Sequence, residues 1–592
     1  MNRVKGKRHR FFLYILSFIL VIVMVGCSND TETKETDVDE EVKVVQDNKD
    51  KEEKEDPIKE EPKEEEEEAY DWPDNFSLHE AYEDYFLIGT IYTNAARSQD
   101  KDLILKHFNA ITPENLMKPE YMQPSEGNFN FRESDPMMSF AKDNGIHVIG
   151  HTLAWHHQSG NWLGRNVECE EAIEQLRSHI YNVAGEYKGQ IQAWDVVNEA
   201  FNDGVPLPAD GDWTKCLRNT QWLSSIGPDY MAMPFTFAHE ADPDAKLYYN
   251  DYNLNNKNKA DATYAMVKDL KEQGVPIHGI GMQGHYSVDT SIGTVAYSLD
   301  LFSKLDVDIS ITELDVGVNG ASASGLTKEQ ERQQGIKYAE LFKLYKEYSD
   351  SIERVTLWGY VDNKSWRSEN FPCLFNADKS PKEAAYAVLN PEKYLELYTD
   401  DTEVEARLAK AKYGTPVIDG EIEELWNNVD PAGIDIDVTA WDGAKGQARL
   451  LWDESFVYVL VEVTDPVLNK SSQNSYEHDS VELYLDQGND KNPFYDDNDG
   501  QYRINYKGDV SFGNIPDVEG FKAVAKETDN GYLIEVALPL LDEAKEGDIM
   551  GFEAQINDSN ASGVRQAITK FNDPTDSSWE TTEQWGELIL EK

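Results

Sequence analysis

Residues 191–203 read IQAWDVVNEAFND. An apolar run, AWDVV, stops abruptly at Asn198-Glu199. A run of this length and composition reads as a buried strand. A carboxylate held away from water at its end costs several kcal/mol unless it is paired or neutral. Glu199 is therefore either a satisfied structural group or a group held for chemistry.

Seven further runs share this form: FLIGTIY (86–92), FNAITP (108–113), IHVIGHTLAW (146–155), KLYYND (246–251), IHGIGMQGH (277–285), DISITELDV (308–316) and RVTLWGY (354–360). Segments such as CEEAIEQLRSHIYNVAGEY, with apolar residues at helical spacing, separate most of them. Strands alternating with helices imply parallel βαβ units. Eight of them between residues 72 and 397 fit an α/β fold of the (β/α)8 TIM-barrel type, whose active site sits at the C-terminal ends of the strands. The polar residues gather at those ends: Glu114-Asn115, His151 and Trp155, Asn198-Glu199, Asp251-Tyr252, Gln283 and His285, Glu313 and Asp315, and Trp358.

Two acids at two strand ends suit glycosidic-bond cleavage, in which one protonates the leaving oxygen and the other attacks carbon or activates water. They equally suit a structural ion-pair network. The stretch ITELDV (311–316) places Asp315 on the same strand face as Glu313. His285, from the preceding strand, is in line to bridge them and keep Glu313 ionised. Glu199 has no cation near it in sequence and sits beside Trp194 and Val197, a setting that favours the protonated form a general acid needs. The histidines at 147, 151, 156 and 157 are irregularly spaced for a zinc site.

The motifs WDVVNE (194–199), ITELD (311–315), HTLAWH (151–156), ENLMKPE (114–120), MQGHY (282–286) and LWGYVDNKSW (357–366) together resemble family 10 glycoside hydrolases, typified by endo-β-1,4-xylanases. The likeness covers roughly 74–395. It implies that Glu199 is the acid/base and Glu313 the nucleophile of a retaining double displacement on xylan or xylo-oligosaccharides. It implies that Asn198 binds the sugar 2-hydroxyl and that His285 with Asp315 orients the nucleophile. Lys118, His151, Gln283, Trp358 and Trp366 would wall the subsite of the cleaved sugar. Glu114, Asn115 and Gln158 would meet the next sugar outward, and Tyr252 would stack on the leaving-group side. Trp155 is expected to stack on sugar because of its strand-end position. No cofactor is expected for catalysis.

After about residue 403 the texture changes to short alternating strands, with hairpin turns at WDES and TDNG. This predicts an all-β sandwich over 411–592, joined by a linker at 398–410. AKYGTPVIDGEIEELWNN, HDSVELYLD and DPTDSSW…WGELIL resemble a family 9 carbohydrate-binding module, which implies binding at polysaccharide reducing ends. Trp579 matches one of the family's two clamping rings. Tyr476 stands where the better-known pattern has Trp, and Asp576 where it has Asn. Glu482, Arg503 and Gln555 match the polar contacts. The acidic stretch YDDNDG (495–500) offers oxygen ligands for a structural calcium ion in this module.

The first residues read differently. Five Lys or Arg in MNRVKGKRHR precede sixteen uncharged residues and then Cys27. This is a secretory signal over 1–26, too short for a membrane span. MVGC resembles a bacterial lipobox, which implies lipidation of Cys27 and an extracellular protein anchored at the bacterial cell surface. Ordinary cleavage or an uncleaved anchor fits the same residues. Residues 27–71, with runs such as EEPKEEEEE, are too charged and too poor in apolar residues to build a core and read as a disordered stalk. The formal net charge of −56 excludes nucleic acid or an anionic membrane surface as the main partner. Two rivals stand beside the xylanase reading: a β-1,4-glucanase or dual xylanase/cellulase of the same family, and a non-catalytic polysaccharide-binding protein.

Overall fold

The computed structural model describes residues 72–399, 406–438, 443–514 and 519–592. The leader, Cys27 and the acidic stretch lie outside the described residues. The barrel wall is formed by β1 (Leu87–Tyr92), β2 (Ala110–Pro113), β3 (His147–Ala154), β4 (Ala193–Asn198), β5 (Lys246–Asp251), β6 (Gly279–Met282), the short β7 (His285–Ser287), β8 (Asp308–Gly317) and β9 (Ile352–Leu357). Each of β1 to β5 pairs in parallel with its successor. β6 then pairs with β8, β8 with β9, and β9 with β1, which closes an eight-stranded parallel barrel.

The sixth strand differs from its reading as one run over 277–285. It ends at Met282, and the chain resumes as β7 alongside β8, with His285 opposite Asp315. Gly284 makes the break with φ of 77°, a conformation that glycine adopts without a steric penalty. The interruption puts Gln283 and His285, rather than more ladder, at the mouth of the barrel.

Outer helices cover the wall with apolar stripes. Helix Cys169–Glu186 buries Ala172, Leu176, Ile180 and Val183, residues three or four apart. Helix Lys328–Glu347 begins with a capping box between Thr327 and Gln330. Inside the wall, Gly150 of β3 pairs with Trp194 of β4, and a Cβ there would collide with the indole, which is fully buried.

The C-terminal domain is a β-sandwich. One layer holds strands Lys445–Trp452, Phe456–Thr464, Gly531–Pro539 and Lys522–Thr528. The other holds Ser480–Asp486 between Asp499–Asn505 and Ile549–Ser559, with Arg565–Lys570 beyond. Alternate residues such as Val459, Val461, Ile534, Val481, Leu483 and Phe552 fill the core. Both expected hairpins form, at Asp453–Ser455 and at Asp529-Asn530. Strand Leu408–Tyr413 begins inside the span read as linker, pairing in parallel with both Lys445–Trp452 and Gly586–Glu591. Its inward residues are Ala409 and Ala411, too small to register as a hydrophobic run. Cys169, Cys216 and Cys373 are all free thiols.

Candidate active site

A cleft of about 610 Å³ opens among the strand ends of the barrel. Glu114, Asn115, Lys118, His151, Trp155, Glu199, Tyr252, Gln283, His285, Glu313, Trp358 and Trp366 all line it. Three other residues named from the sequence stand just behind this surface. Asn198 is buried against Glu199, Asp315 is buried beneath His285, and Gln158 lies 3.5 Å from both Asn115 and Glu120.

Glu199 follows β4 in the left-handed region, with φ of 58°. For a residue with a Cβ this backbone costs on the order of 1 kcal/mol. It is held by the next strand: the Glu199 N–H donates to Asn250 O at 2.8 Å, and the Ala200 N–H donates to Tyr249 Oη at 3.2 Å. The turn lifts the carboxylate into the cleft, where it accepts three hydrogen bonds. They come from Trp155 Nε1 at 2.9 Å, Gln283 Nε2 at 3.1 Å and Asn198 Nδ2 at 3.1 Å. This corrects the apolar setting expected for Glu199. Trp194 and Val197 are neighbours in sequence, but the groups that meet the carboxylate come largely from β3 and the end of β6.

Glu313 is supported from two sides. Asn250 Nδ2 donates to its Oε1 at 3.0 Å, and His285 Nε2 lies 3.3 Å from its Oε2. On its far side His285 Nδ1 meets Asp315 Oδ2 at 3.1 Å. Asp315 in turn accepts from Trp366 Nε1 at 3.0 Å and from Arg367 Nη1 at 2.6 Å. Burial opposes a charged imidazole, yet the carboxylates of Asp315 and Glu313 outweigh it and lift His285 to about 9. Burial likewise opposes a charged Glu313, but the His285 bond, the nearby His151 ring and Asn250 hold its carboxyl below the ordinary glutamate range.

Four residues of this arrangement escape the sequence reading. Asn250 donates to Glu313 and also to Asn198 Oδ1 at 2.9 Å, so it couples the two carboxylate-bearing strands. Its own Oδ1 accepts from Thr312 at 2.6 Å, which fixes the amide's orientation. The signal was an amide inside the apolar run KLYYND. Arg367 follows Trp366 in the wall, and Asn253 follows Tyr252. Asp195, inside AWDVV, is buried, and its Oδ2 lies 2.9 Å from His151 Nδ1. Lys118 lies 5.0 Å from the Trp155 ring and bonds Asn115 at 2.9 Å. Burial draws its ammonium below the usual range, against the pull of Glu313, Glu114 and Glu199. Tyr252 is locked by Arg218 at 2.6 Å and Asp203 at 2.7 Å, with Lys259 3.6 Å above its ring.

The sandwich carries a second cavity, of about 440 Å³, lined by all five residues named for it: Tyr476, Glu482, Arg503, Gln555 and Trp579. Tyr476 and Trp579 are half exposed, which leaves ring surface open to the cavity. Glu482 is buried and grips Arg503 through two bonds of 2.7 and 2.9 Å. It also accepts from Gln501, Asn557 and Tyr484, so its role is to aim the guanidinium. Arg565, not singled out from the sequence, bonds Asp576 at 3.2 Å and lies 5.7 Å from the Tyr476 ring.

Among the described residues, the acidic side chains that come together closely enough to share a metal ion are drawn from outside the loop 495–500. Asp465, Asp479 and Asp558 are all buried, with ligand oxygens within 4.8 Å of one another. Asp465 Oδ2 is buried with no hydrogen-bond partner among the described residues. Burial, with Asp465 and Asp558 nearby, pushes the Asp479 carboxyl well up. Three hard oxygen donors with one oxygen unsatisfied suit calcium better than zinc.

A (β/α)8 barrel with two carboxylates in one strand-end cleft, each held by its own set of donors, defines a glycoside-hydrolase type of site. The chain belongs to glycosyl hydrolase family 10, whose profile matches residues 77–391, and residues 418–592 match the carbohydrate family 9 binding domain-like profile. It is 31% identical to endo-1,4-beta-xylanase A of Thermoanaerobacterium saccharolyticum, over 88% of this chain and 60% of that protein. It is also 31% identical to an exoglucanase of Acetivibrio thermocellus, over 87% of this chain and 63% of that one. The chain thus spans about three-fifths of the length of these curated relatives. A crystal structure of a xylanase from Paenibacillus barcinonensis superposes with a TM-score of 0.50 at 35% identity, covering 53% of this chain and 98% of that one.

An imidazole lifted to about 9 stays charged in the folded protein while it is neutral above about 6.5 in the unfolded chain. Its contribution to stability is therefore full below about 6.5 and lost as pH rises through 9. NMR titration of the His285 ring should give a midpoint near 9, and Asp315→Asn should lower it by at least about one unit. A wild-type midpoint at or below the ordinary histidine value would contradict this electrostatic arrangement.

Proposed function

We propose that the chain is a retaining endo-β-1,4-xylanase with a carbohydrate-binding module. The observation that carries the reading is the unequal support of the two carboxylates in one cleft. Glu313 touches a charged imidazole and an amide donor, which suits an ionised nucleophile. Glu199 touches neutral donors only, which suits a group that gives up and regains a proton.

In the first step Glu199 protonates the glycosidic oxygen as Glu313 attacks the anomeric carbon, and the reducing-end fragment leaves. In the second step Glu199 takes a proton from water, which displaces Glu313 and restores the original anomeric configuration. Asn198, held through its Oδ1 by Asn250, offers its Nδ2 to the 2-hydroxyl, a contact that strengthens as the oxocarbenium character develops. Lys118 and the rings of Trp155, Trp358 and Trp366 hold the sugar's faces and remaining hydroxyls.

A glucan-cleaving second reading draws support from the exoglucanase relative and from Trp366, a wall of the cleft that is 58% exposed. A hydroxymethyl group would be admitted if that ring swings away. The non-catalytic reading has no comparable support, because a pure binding site has no need of a buried glutamate joined through an imidazole to a buried aspartate. Rates on xylan and on soluble cellulose derivatives separate xylan from glucan use. Glu313→Ala should cut xylan turnover by about 10⁴-fold while binding by calorimetry persists. Product released within seconds should be the β-anomer by NMR. Wild-type turnover in Glu313→Ala, or initial α-product, would overturn the reading.

We also propose that Asp465, Asp479 and Asp558 hold a structural calcium ion in the sandwich. The supporting features are their mutual proximity, their burial and the unpartnered Asp465 oxygen. A bound cation would offset the burial and the neighbouring Asp465 and Asp558 charges that push Asp479 up. Millimolar calcium should raise the melting temperature of the chelator-treated protein by roughly 5 °C. Asp479→Asn should abolish that rise, and a calcium-independent melt of the wild type would refute the site.

A further inference from the structure

The barrel and the sandwich belong to one compact unit, and their contact is specific. Ser291, at the start of barrel helix Ile292–Ser303, donates its hydroxyl to Glu583 of the sandwich. Tyr297 of the same helix meets Phe494 edge to face at 5.1 Å. Gly293 lies under Glu583 and Pro493 so closely that a Cβ would strike the Glu583 carboxylate. This close approach leaves a cavity of about 380 Å³ between the two domains.

The barrel contributes Asn253, Asn255 and Asn256 to that cavity, and the sandwich contributes Phe494, Trp579 and Glu580. Amides and a carboxylate with two aromatic rings make a sugar-type lining. Two of these residues also belong to the neighbouring sites. Asn253, next to Tyr252, lines the catalytic cleft as well. Trp579 lines the binding site of the sandwich as well. The three cavities therefore form a series, each sharing one residue with the next.

We propose that a single xylan chain runs through this series, with its cleaved bond at Glu199 and Glu313 and its reducing end held between Tyr476 and Trp579. The proposal rests on the functional reading above, in which Tyr252 lies on the leaving-group side and the sandwich takes reducing ends. The polarity then agrees, because the leaving group is the reducing-end half of the chain. The module becomes the far end of the leaving-group subsites. It sets the length of the released fragment, counted from the reducing end, instead of tethering the enzyme to bulk polysaccharide.

The test uses the full-length protein and xylo-oligosaccharides of about ten or more sugars, labelled with ¹⁸O at the reducing-end anomeric position so that the end stays chemically natural. Mass spectrometry reads the length of the labelled fragment. Wild type should release labelled products concentrated at one length. Gly293→Leu, which wedges the contact apart and touches neither binding site, should spread that distribution at least twofold in width. It should leave both the turnover of xylotriose and the binding of chain ends by calorimetry as they were. Trp579→Ala should spread the distribution as well and lose end binding. Equal distributions in wild type and both variants would overturn the proposal. Loss of xylan cleavage or of end binding in the wild type would instead refute the functional reading beneath it.

Discussion

Two carboxylates that share a cleft repel each other, and this site is organised around the groups that stand between and behind them. Asn250 is the hinge of that arrangement. One amide nitrogen reaches both Glu313 and Asn198, and Asn198 reaches Glu199, so three bonds near 3 Å join the two acids through neutral donors. Behind Glu313, His285 supplies the positive charge, and Asp315, Trp366 and Arg367 fix the ring that carries it. The cleft is therefore polarised: one acid leans on a cation and the other on dipoles. That asymmetry assigns different work to two side chains of one chemical type.

The barrel makes the asymmetry cheap to hold. Parallel strands deliver Glu199, Asn250, Gln283 and Glu313 to the same rim, and closure of β9 onto β1 removes the freedom that would let them drift. Local irregularity does the final aiming. The left-handed turn at Glu199 and the break at Gly284 each interrupt a strand where a regular ladder would have buried a needed side chain. The sandwich works differently: the Tyr476 and Trp579 rings of its cavity are exposed, and Arg503 is aimed by a carboxylate already saturated with donors.

Much of this was legible in the residues. Eight apolar runs with polar ends are enough to place a barrel, because period and position carry the information. The twelve cleft-lining residues named from sequence were found by their strand-end positions and by family likeness. What escaped depended on contacts between distant segments. Asn250 and Asp195 sit inside runs that look apolar, and only the neighbouring strands give them partners. The donors around Glu199 come from residues 155 and 283, so its flanking Trp194 and Val197 were a poor guide. Strand Leu408–Tyr413 was hidden because alanine buries well but carries little strand preference. The three-carboxylate cluster is assembled from residues 465, 479 and 558, too far apart in sequence to form a motif.

The proposed chemistry depends above all on Glu313 as an ionised nucleophile. The most direct measurement is to incubate the protein with an activated 2-deoxy-2-fluoro xylobioside, which slows the second step, and to map the attached sugar by peptide mass spectrometry. The predicted result is a single label on the peptide that contains Glu313. A label on Glu199, or hydrolysis without any trapped adduct, would contradict it.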